Sequence, residues 1–188
     1  MLPTTKPRMI ITISGTPGAG KDTIGKLVAK KLGLKFYCMG DMRRKMAADR
    51  GMTIEQLNKL GEKEDWTDKE ADNYQAKLGQ TEDNFVAVGR TSFHFIPKSK
   101  KIFLDVTLEE GARRIINDKS SARDVEKYKD IKEAMQKLKE RKESDNKRYM
   151  KYYNLNIFDK KHYDLVIDTT NKKPEEVVDL IVNFAKKK

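Results

Sequence analysis

Cysteine is nearly absent from this sequence, which has Cys38 alone among 188 residues. An intramolecular disulfide is therefore excluded, and a reducing compartment is the natural expectation. Long apolar runs are also missing, since no stretch reaches the roughly 20 apolar residues that a membrane-spanning helix needs. Residues 1–8 contain two prolines and lack the apolar centre typical of a signal peptide. We expect a cytoplasmic chain with no membrane partner.

Acidic residues are in the minority, with 29 Asp and Glu against 40 Lys and Arg, which gives a formal net charge of +11. Anionic partners such as nucleotides or nucleic acid suit that balance. Much of the positive charge is Lys spread over predicted helices and residues 186–188, however, and aromatic residues are few. Nucleic-acid interfaces combine a basic stripe with aromatic residues, so we expect no nucleic acid partner. The length suits one domain, residues 1–188, with a sizeable core.

The first apolar segment, residues 9–14, has the length of a strand and runs into a glycine-rich loop. Ile24, Val28 and Leu32 then follow at helical spacing. Glycines let the backbone approach an anion and turn successive N–H groups inward, while the helix N-terminus and Lys21 add positive charge. Strand, Gly-x4-Gly-Lys and helix in this order predict a loop that binds nucleotide phosphates. Its members are Gly15, Thr16, Pro17, Gly18, Ala19, Gly20, Lys21, Asp22 and Thr23.

The hydroxyl that commonly binds Mg²⁺ after such a lysine is displaced by one residue, because Asp22 follows Lys21 and Thr23 comes next. A metal ion would then be held largely by phosphates and water, with Thr23 as a weak protein ligand. Asp22 either contacts the water shell of the metal or is a favourable anion in the first helical turn. We favour the second interpretation.

Four further segments of strand length alternate with helical patterns. A helical region over residues 53–78 begins with a capping box at Thr53 and Gln56, and a long helix is predicted over about residues 123–153. The alternation predicts an α/β fold with a five-stranded parallel sheet and helices on both faces. The predicted strands after the first are residues 35–38, 84–89, 101–106 and 163–168.

Several polar residues follow the predicted strands directly. Asp41 and Arg44 come after the second strand, and Gly89 with Arg90 ends the third. Ligands bind beyond the carboxyl ends of parallel strands. These residues are therefore expected at the same sheet edge as the phosphate loop.

The long predicted helix changes character along one face. Its apolar stripe includes Met135 and Leu138, and the same face continues with Arg141, Asp145 and Arg148. Charged residues on an inward face are costly unless they adjoin a polar cavity or an anion. The alternative is a ladder of ion pairs within the helix on an exposed end. The helix alone does not decide between these interpretations.

Taken in order, these motifs resemble the cytidylate kinases in the short form typical of archaea, from about residue 9 to residue 184. The fold implied by this resemblance is the three-layer sandwich of P-loop NTPases. It also implies an insertion of helices that bind the acceptor nucleotide, at about residues 41–80, and a lid with the long helix, at about residues 117–153. The segments that carry the resemblance are the Gly-Lys-x-Thr loop, Gly40-Asp41-x-x-Arg44, Gly89-Arg90 ahead of residues 102–105, Arg141-x3-Asp145-x2-Arg148 and residues 163–168.

The resemblance implies transfer of the γ-phosphoryl group of ATP to CMP or dCMP, with Mg²⁺. By the same resemblance, Arg44 and Arg90 hold the phosphate of the acceptor, while Arg141 and Arg148 come from the lid and bridge the donor and acceptor phosphates. Fixed guanidinium groups suit this chemistry, because the migrating group spreads negative charge over its oxygens. Lys21, Arg90, Arg141 and Arg148 form the predicted catalytic set.

Four carboxylates belong to the predicted substrate site. Asp41 either orients Arg44 or contacts the acceptor. Asp145 either orients the lid arginines or binds ribose. Asp68 and Asp72 lie one turn apart, match a similar pair in the archaeal form, and either read the base or are the solvated start of a helix.

Gly89 completes the predicted substrate site, because it leaves space for an anion beside Arg90. Two positions depart from the pattern of bacterial relatives, which have Ser where Met39 stands and Asp where Thr91 stands. Both positions contribute to nucleoside recognition in those relatives. The sequence therefore determines the reaction better than the acceptor base.

Two other functions compete with a CMP kinase that acts as a monomer. Adenylate kinase, or another small-molecule kinase, uses the same phosphate loop and differs in its acceptor. An RNA- or ribosome-associated NTPase would exploit the net charge of +11 and would lose RNA affinity steeply with salt. The interspersed acidic residues and the few aromatics favour the kinase.

Overall fold

A computed structural model describes residues 8–118 and 128–187, so residues 119–127 of the predicted lid lie outside the described residues. The strands are β1 (Ile10–Gly15), β2 (Lys35–Cys38), β3 (Phe85–Val88), β4 (Lys100–Asp105) and β5 (Leu165–Asp168). The α-helices are α1 (Lys21–Leu32), α2 (Met39–Ala48), α3 (Ile54–Gly61), α4 (Trp66–Thr81), α5 (Ser92–Phe95), α6 (Leu108–Asn117), α7 (Ile131–Tyr153) and α8 (Pro174–Lys186). A short 3-10 helix covers Lys160–His162. Among the helices of these two ranges, none has the length and apolar character needed to cross a membrane.

The five strands form one parallel sheet in the order β2-β3-β1-β4-β5. β1 lies at the centre, where Ile13 is level with Val88 of β3 and Ile102 of β4. The predicted α/β fold with a five-stranded parallel sheet is therefore confirmed. The remaining strands lie on both sides of β1, with β3 and β2 on one side and β4 and β5 on the other. In such sheets a ligand site opens at the carboxyl end of the strand where the order reverses, which is β1 here.

Alternate residues of the strands pack against different helices. Val86 and Val88 lie in the main core with α1 and α8, whereas Phe85 and Ala87 pack with Leu78 of α4 and with α5. On the same side of the sheet as Phe85, Phe103 of β4 joins an aromatic cluster with the end of α7. Both faces of the sheet are thus covered, which explains why the strands are nearly continuous apolar runs.

Helices α2, α3 and α4 occupy the range of the predicted insertion and share a small apolar cluster of their own. Leu57 is fully buried in that cluster, and Trp66 packs against it. The predicted capping box at the start of α3 is confirmed: Gln56 N donates to Thr53 Oγ1, and Thr53 N donates to Gln56 Oε1. The insertion therefore has a local core that fixes its helices beside the sheet edge.

Several predicted boundaries differ from the structure within the described ranges, and two of the differences have a local physical reason. The long helix begins at Ile131, and residues 128–130 are not helical, because the Asp130 side chain caps the helix by accepting a hydrogen bond from Glu133 N at 2.9 Å. β5 begins at Leu165, since Tyr163 packs into the aromatic cluster and its hydroxyl donates to Ile157 O at 2.6 Å. Apolar periodicity continues through both boundaries and does not reveal them.

The close packing of α1 on the sheet yields a stability prediction. A Cβ at Gly25 would lie 2.4 Å from Cγ2 of Val88, a stiff side chain buried in β3. Gly25→Ala gains about 1 kcal/mol of helix propensity, but overpacking outweighs that gain, and we expect a net loss of about 1–2 kcal/mol in the free energy of unfolding. Urea denaturation measures it. The exposed Lys30→Ala on the same helix is the control and should stay within about 0.5 kcal/mol of the parent; a more stable Gly25→Ala variant would contradict the packing argument.

Candidate active site

The phosphate loop uses left-handed backbone conformations at two glycines, Gly18 with φ of 85° and Gly20 with φ of 77°. These values strain any residue with a Cβ. Gly18 also packs so tightly on α6 that an added Cβ would lie 2.6 Å from Gly111 Cα. Gly20 is the N-cap residue of α1 and has no side chain, so no capping side chain accepts a hydrogen bond from the N–H groups of the first turn. This helix end, with its positive dipole, is therefore suited to receive an anion.

Strand β4 holds the start of the loop in place. Thr16 N donates to Leu104 O at 3.0 Å, and the Thr16 hydroxyl donates to Asp105 Oδ1 at 3.3 Å. Pro17 and Ala19 are buried. These contacts fix the loop before any ligand binds, which lowers the entropic cost of binding phosphate.

A cavity lies at the carboxyl edge of the sheet, between the phosphate loop, the insertion and α7. It brings together eight of the predicted site residues from segments far apart in the chain, and four of the eight are cations. The eight are Lys21, Asp22, Arg44, Asp68, Asp72, Gly89, Arg90 and Arg141. Other residues that line it include Arg43, Gln75, Thr91 and Tyr149.

Residues 15–20 of the phosphate loop do not line this cavity, and neither do four further predicted residues. Thr23 and Asp41 are exposed, and Asp41 accepts a hydrogen bond from Arg44, which fits the alternative in which it orients that arginine. Asp145 and Arg148 are buried behind the cavity, 2% and 1% exposed. The geometry thus separates residues that can meet a ligand from residues that support them.

A chain of alternating charges connects the wall of the cavity with the buried layer behind it. Arg43 donates to Asp68 at 2.7 Å, and Asp68 accepts a second hydrogen bond from Arg148 at 2.9 Å. Arg148 also donates to Asp145 at 2.5 Å, and Asp145 accepts from Nε of Arg90. We call these five residues the charge chain. It links α2, α4 and α7 to the end of β3.

The charge chain overturns two of the interpretations that the sequence left open. Asp68 is 1% exposed, so the solvated start of a helix is wrong for it. Asp145 and Arg148 do form an ion pair within α7, but both are buried and bound to other elements, so a ladder on an exposed end is also wrong. Arg148 has its terminal nitrogens on Asp68 and Asp145. This arrangement gives no support to phosphate bridging by Arg148, and that role stays a prediction.

The electrostatics of the charge chain keep its last ion pair charged. Burial disfavours the ionised carboxyl of Asp145, but Arg90, Arg148 and Arg141 outweigh that effect and lower its pKa. Burial likewise disfavours the charged guanidinium of Arg90, but Asp145 and Tyr149 raise its pKa. Arg90 is therefore a fixed cation at the cavity. Its terminal nitrogens have no hydrogen-bond acceptor among the described residues.

A second polar cluster surrounds Asp72, which is 3% exposed and so is also not a solvated helix start. Gln75 Nε2 and the Thr91 hydroxyl donate to its Oδ1 at 2.9 and 2.7 Å, and the Tyr153 hydroxyl donates to its Oδ2 at 2.7 Å. Burial raises the pKa of Asp72 to about 6. This carboxyl therefore titrates near neutral pH.

Sequence reasoning missed the roles of Arg43 and Gln75. The sequence carries a usable signal for Gln75. Asp68, Asp72 and Gln75 follow one another at steps of four and three, which places them on one face of a helix. The structure buries all three on α4. Polar residues at the spacing of a core face indicate a polar cavity. Arg43 shares the buried face of α2 with Met46 in the same way.

Packing also requires a glycine at position 89. A Cβ at this position would lie 2.4 Å from Ser92 Oγ and 2.8 Å from Met39 Cγ. The glycine is therefore required by the packing of α2 and α5 against the end of β3. Gly89 also lines the cavity, and the space that it leaves for an anion stays a prediction.

The protein offers few ligands for a metal ion. Within residues 8–118 and 128–187, no group of three or more His, Cys, Asp or Glu side chains could hold one. Asp22 lines the cavity beside Lys21 in the first turn of α1, whereas Thr23 is exposed. A hard cation here would take most of its oxygen ligands from nucleotide phosphates and water, as the displaced hydroxyl suggests.

Comparisons with known proteins identify the family of the chain. The family model described as cytidylate kinase-like matches residues 10–171. The chain is 34% identical over 178 residues to a cytidylate kinase of Methanobrevibacter smithii, an alignment that covers 95% of this chain and 99% of that one. It is also 34% identical over 175 residues to a cytidylate kinase of Archaeoglobus fulgidus, which covers 93% of both chains.

Solved structures support the fold. An uncharacterized protein from Eubacterium ventriosum superposes with a TM-score of 0.71 at 17% identity, over 96% of this chain and all of that one. A shikimate kinase from Bacteroides thetaiotaomicron superposes with a TM-score of 0.66 at 18% identity, over 95% of this chain and 99% of that one. At such identities the likeness concerns architecture alone. The family comes from the sequence matches, which confirm the resemblance carried by the motifs: the chain belongs to the cytidylate kinase-like family.

Proposed function

We propose that this chain is a nucleoside monophosphate kinase that transfers the γ-phosphoryl group of ATP to CMP or dCMP and releases ADP with CDP or dCDP. The observation that carries the proposal is the meeting of Lys21 with Arg44, Arg90 and Arg141 in one cavity at the carboxyl edge of the sheet. The relatives named cytidylate kinase, which align over nearly their whole length, support the same acceptor.

The proposed roles follow from the positions of the cations. The phosphate loop and Lys21 bind the donor phosphates, because they surround the N-terminus of α1. Arg44 and Arg90, which line the same cavity as Lys21, hold the acceptor phosphate, and Arg141 of α7 bridges the donor and acceptor phosphates from its place in that lining. Phosphoryl transfer needs positioning and charge neutralisation more than covalent chemistry, and fixed guanidinium groups provide both.

Further parts of the proposal concern the metal and the assembly. Bound Mg²⁺ would be held largely by nucleotide phosphates and water, with Thr23 as a weak protein ligand, and would neutralise the charge of the donor phosphates. We propose that the chain acts as one domain and as a monomer, in which residues 41–80 bind the acceptor and residues 117–153 form the lid. A cytoplasmic location accords with the single cysteine.

A survey of acceptors tests the proposal directly. With ATP and Mg²⁺, we expect CMP and dCMP to be phosphorylated with a kcat/KM at least about tenfold above those of UMP and AMP, since one good hydrogen bond to the base is worth about that factor. A coupled assay for ADP measures it. Preference for AMP would identify an adenylate kinase. ATP hydrolysis that depends on RNA and on no nucleotide acceptor would identify the RNA-associated alternative.

Lys21→Ala tests the phosphate loop. We expect a folded variant with a loss of about 10² to 10³-fold in turnover, because Lys21 opens α1 beside the cavity, and a preorganised cation there acts on the migrating charge. Lys30→Ala, on the exposed last turn of the same helix, removes the same charge and should keep normal turnover. Comparable activity of the two variants would place the active site elsewhere.

Arg90→Lys tests the acceptor side of the cavity. Lys keeps the charge but cannot both satisfy Asp145 and present a planar fork to a phosphate. We expect turnover to fall on the order of 10²-fold, with ATP affinity nearly unchanged because the donor phosphates bind the loop. Turnover and ATP binding are measured side by side.

The matched control is Arg50→Lys on the outer surface of the insertion, where Arg50 pairs with exposed Glu70. It should be kinetically neutral. The acceptor role of Arg90 is refuted by normal turnover of Arg90→Lys. It is equally refuted by a loss of ATP binding that accounts for the loss of rate.

A further inference from the structure

The C-terminal half of α7 faces the insertion with a row of hydrogen-bond donors. Three of its side chains donate to carboxylates of α4, namely Arg148 and Tyr149 to Asp68, and Tyr153 to Asp72. Four more donate to the end of α3, and these are Ser144, Lys147, Lys151 and Tyr152. This half of α7 thus holds two helices of the insertion at once.

The contacts at the end of α3 involve both side chain and backbone. The Ser144 hydroxyl donates to the Glu62 carboxylate at 2.8 Å, and the Tyr152 hydroxyl donates to Gly61 O at 2.6 Å. Lys151 Nζ donates to Glu62 O at 3.0 Å. The last carbonyls of a helix lack partners within the helix, so these donors satisfy acceptors that would otherwise need water. We call Gly61, Glu62 and their four donors on α7 the outer clamp.

Gly61 allows the insertion to approach α7 this closely. It is buried, and an added Cβ would lie 2.6 Å from Thr67 Oγ1 and 3.3 Å from both Cδ and Nη1 of Arg148. The φ angle of Gly61 is not in the left-handed region, so packing alone requires a glycine here. The end of α3 therefore rests directly on the stem of Arg148.

The same half of α7 is also fixed to the sheet. Tyr149 is buried in the aromatic cluster with Phe103 of β4, and Asp145 holds Arg90 at the end of β3. This half of α7 therefore braces the insertion against the sheet. A swing of the insertion away from α7 would leave a buried carboxylate without one of its two arginines, which is strongly unfavourable.

We infer, on the basis of the proposed function, that the acceptor side of the cavity is preformed. Gly61, Glu62 and Tyr152 are positioning residues, which hold the insertion on α7 before and during phosphoryl transfer. Arg44 of α2 then occupies its place in the same cavity as Arg90 before the acceptor binds. This half of α7, although part of the proposed lid, stays in place with the insertion. A preorganised site binds its ligand without the cost of ordering separate elements.

A covalent link across the outer clamp tests whether the insertion stays on α7. Cys38→Ser removes the single native thiol, and Glu62→Cys with Ser144→Cys places two thiols where the present side chains are in hydrogen-bond contact. Dibromobimane joins neighbouring thiols. We expect the joined enzyme to phosphorylate CMP as fast as the unjoined one, because no step requires the clamp to open. Loss of turnover on joining overturns the inference.

The matched control joins two thiols within α7, introduced by Lys132→Cys and Gln136→Cys at exposed positions one turn apart. Such a link cannot restrain the insertion, so it shows the effect of the reagent alone. The rate at which the thiols at positions 62 and 144 are joined gives a readout that is independent of activity. This rate should be the same with and without CMP. A rate that CMP changes would show that the acceptor moves the insertion, which contradicts a preformed site.

Gly61→Ala tests the positioning role from the opposite direction, because the added Cβ pushes the end of α3 away from Arg148. The insertion then occupies its competent position only part of the time, and KM for the acceptor rises by the inverse of that fraction. We expect KM for CMP to rise about tenfold, with kcat at saturating CMP and KM for ATP close to those of the parent. Initial rates with each substrate varied in turn measure these constants.

Gly79→Ala is the control for overpacking, since its Cβ would press on Ile96 of α5, at 3.0 Å, rather than on α7. It should keep the KM of the parent for CMP. An unchanged KM for CMP in Gly61→Ala overturns the positioning role. A parent that phosphorylates no nucleoside monophosphate refutes the proposed function itself. A parent that phosphorylates CMP but is inactivated by the link across the clamp refutes the preformed site alone.

Discussion

The site depends on Asp68, which is buried between two arginines of different helices, Arg43 of α2 and Arg148 of α7. Removing these ions from water costs several kcal/mol for each, and their attraction offsets this cost only with well-formed hydrogen bonds on several sides. Loss of one partner would leave an uncompensated buried charge. The interaction therefore contributes more to geometry than to stability, because it permits one relative position of the insertion and the long helix.

The same constraint explains how Arg90 is held at the cavity. Asp145 is fixed by Arg148, and Arg148 is fixed by Asp68, so the carboxylate that holds Arg90 is anchored to the insertion. Arg148 is almost fully buried, and its Nε finds no hydrogen-bond acceptor within the described part of the chain. Such an orphaned donor is costly. Arg148 thus acts on the cavity through the carboxylates it positions.

The fold was predictable from the sequence because its signals are local. The apolar run before Gly15, the loop and the periodicity of α1 belong to one continuous segment, and the strand alternation gives the parallel sheet. The cations at the cavity follow from the rule on strand ends. The charge chain was not predictable, since Asp68 and Arg148 are 80 residues apart. Their types suit a solvated surface equally well, and burial decides the matter only in three dimensions.

The cavity and the buried layer behind it consequently contain carboxylates of two kinds, although the sequence makes Asp68, Asp72 and Asp145 look alike. Asp68 and Asp145 each bind two arginines, and those guanidinium groups keep their charge at any ordinary pH. Asp72 is equally buried but is surrounded by hydroxyls and an amide. Neutral donors stabilise a carboxylate less than cations do, so desolvation dominates there and the proton is held more tightly. Asp68, which holds two arginines in place, and Asp72, whose pKa burial raises, thus lie one helical turn apart on α4 and differ in what surrounds them.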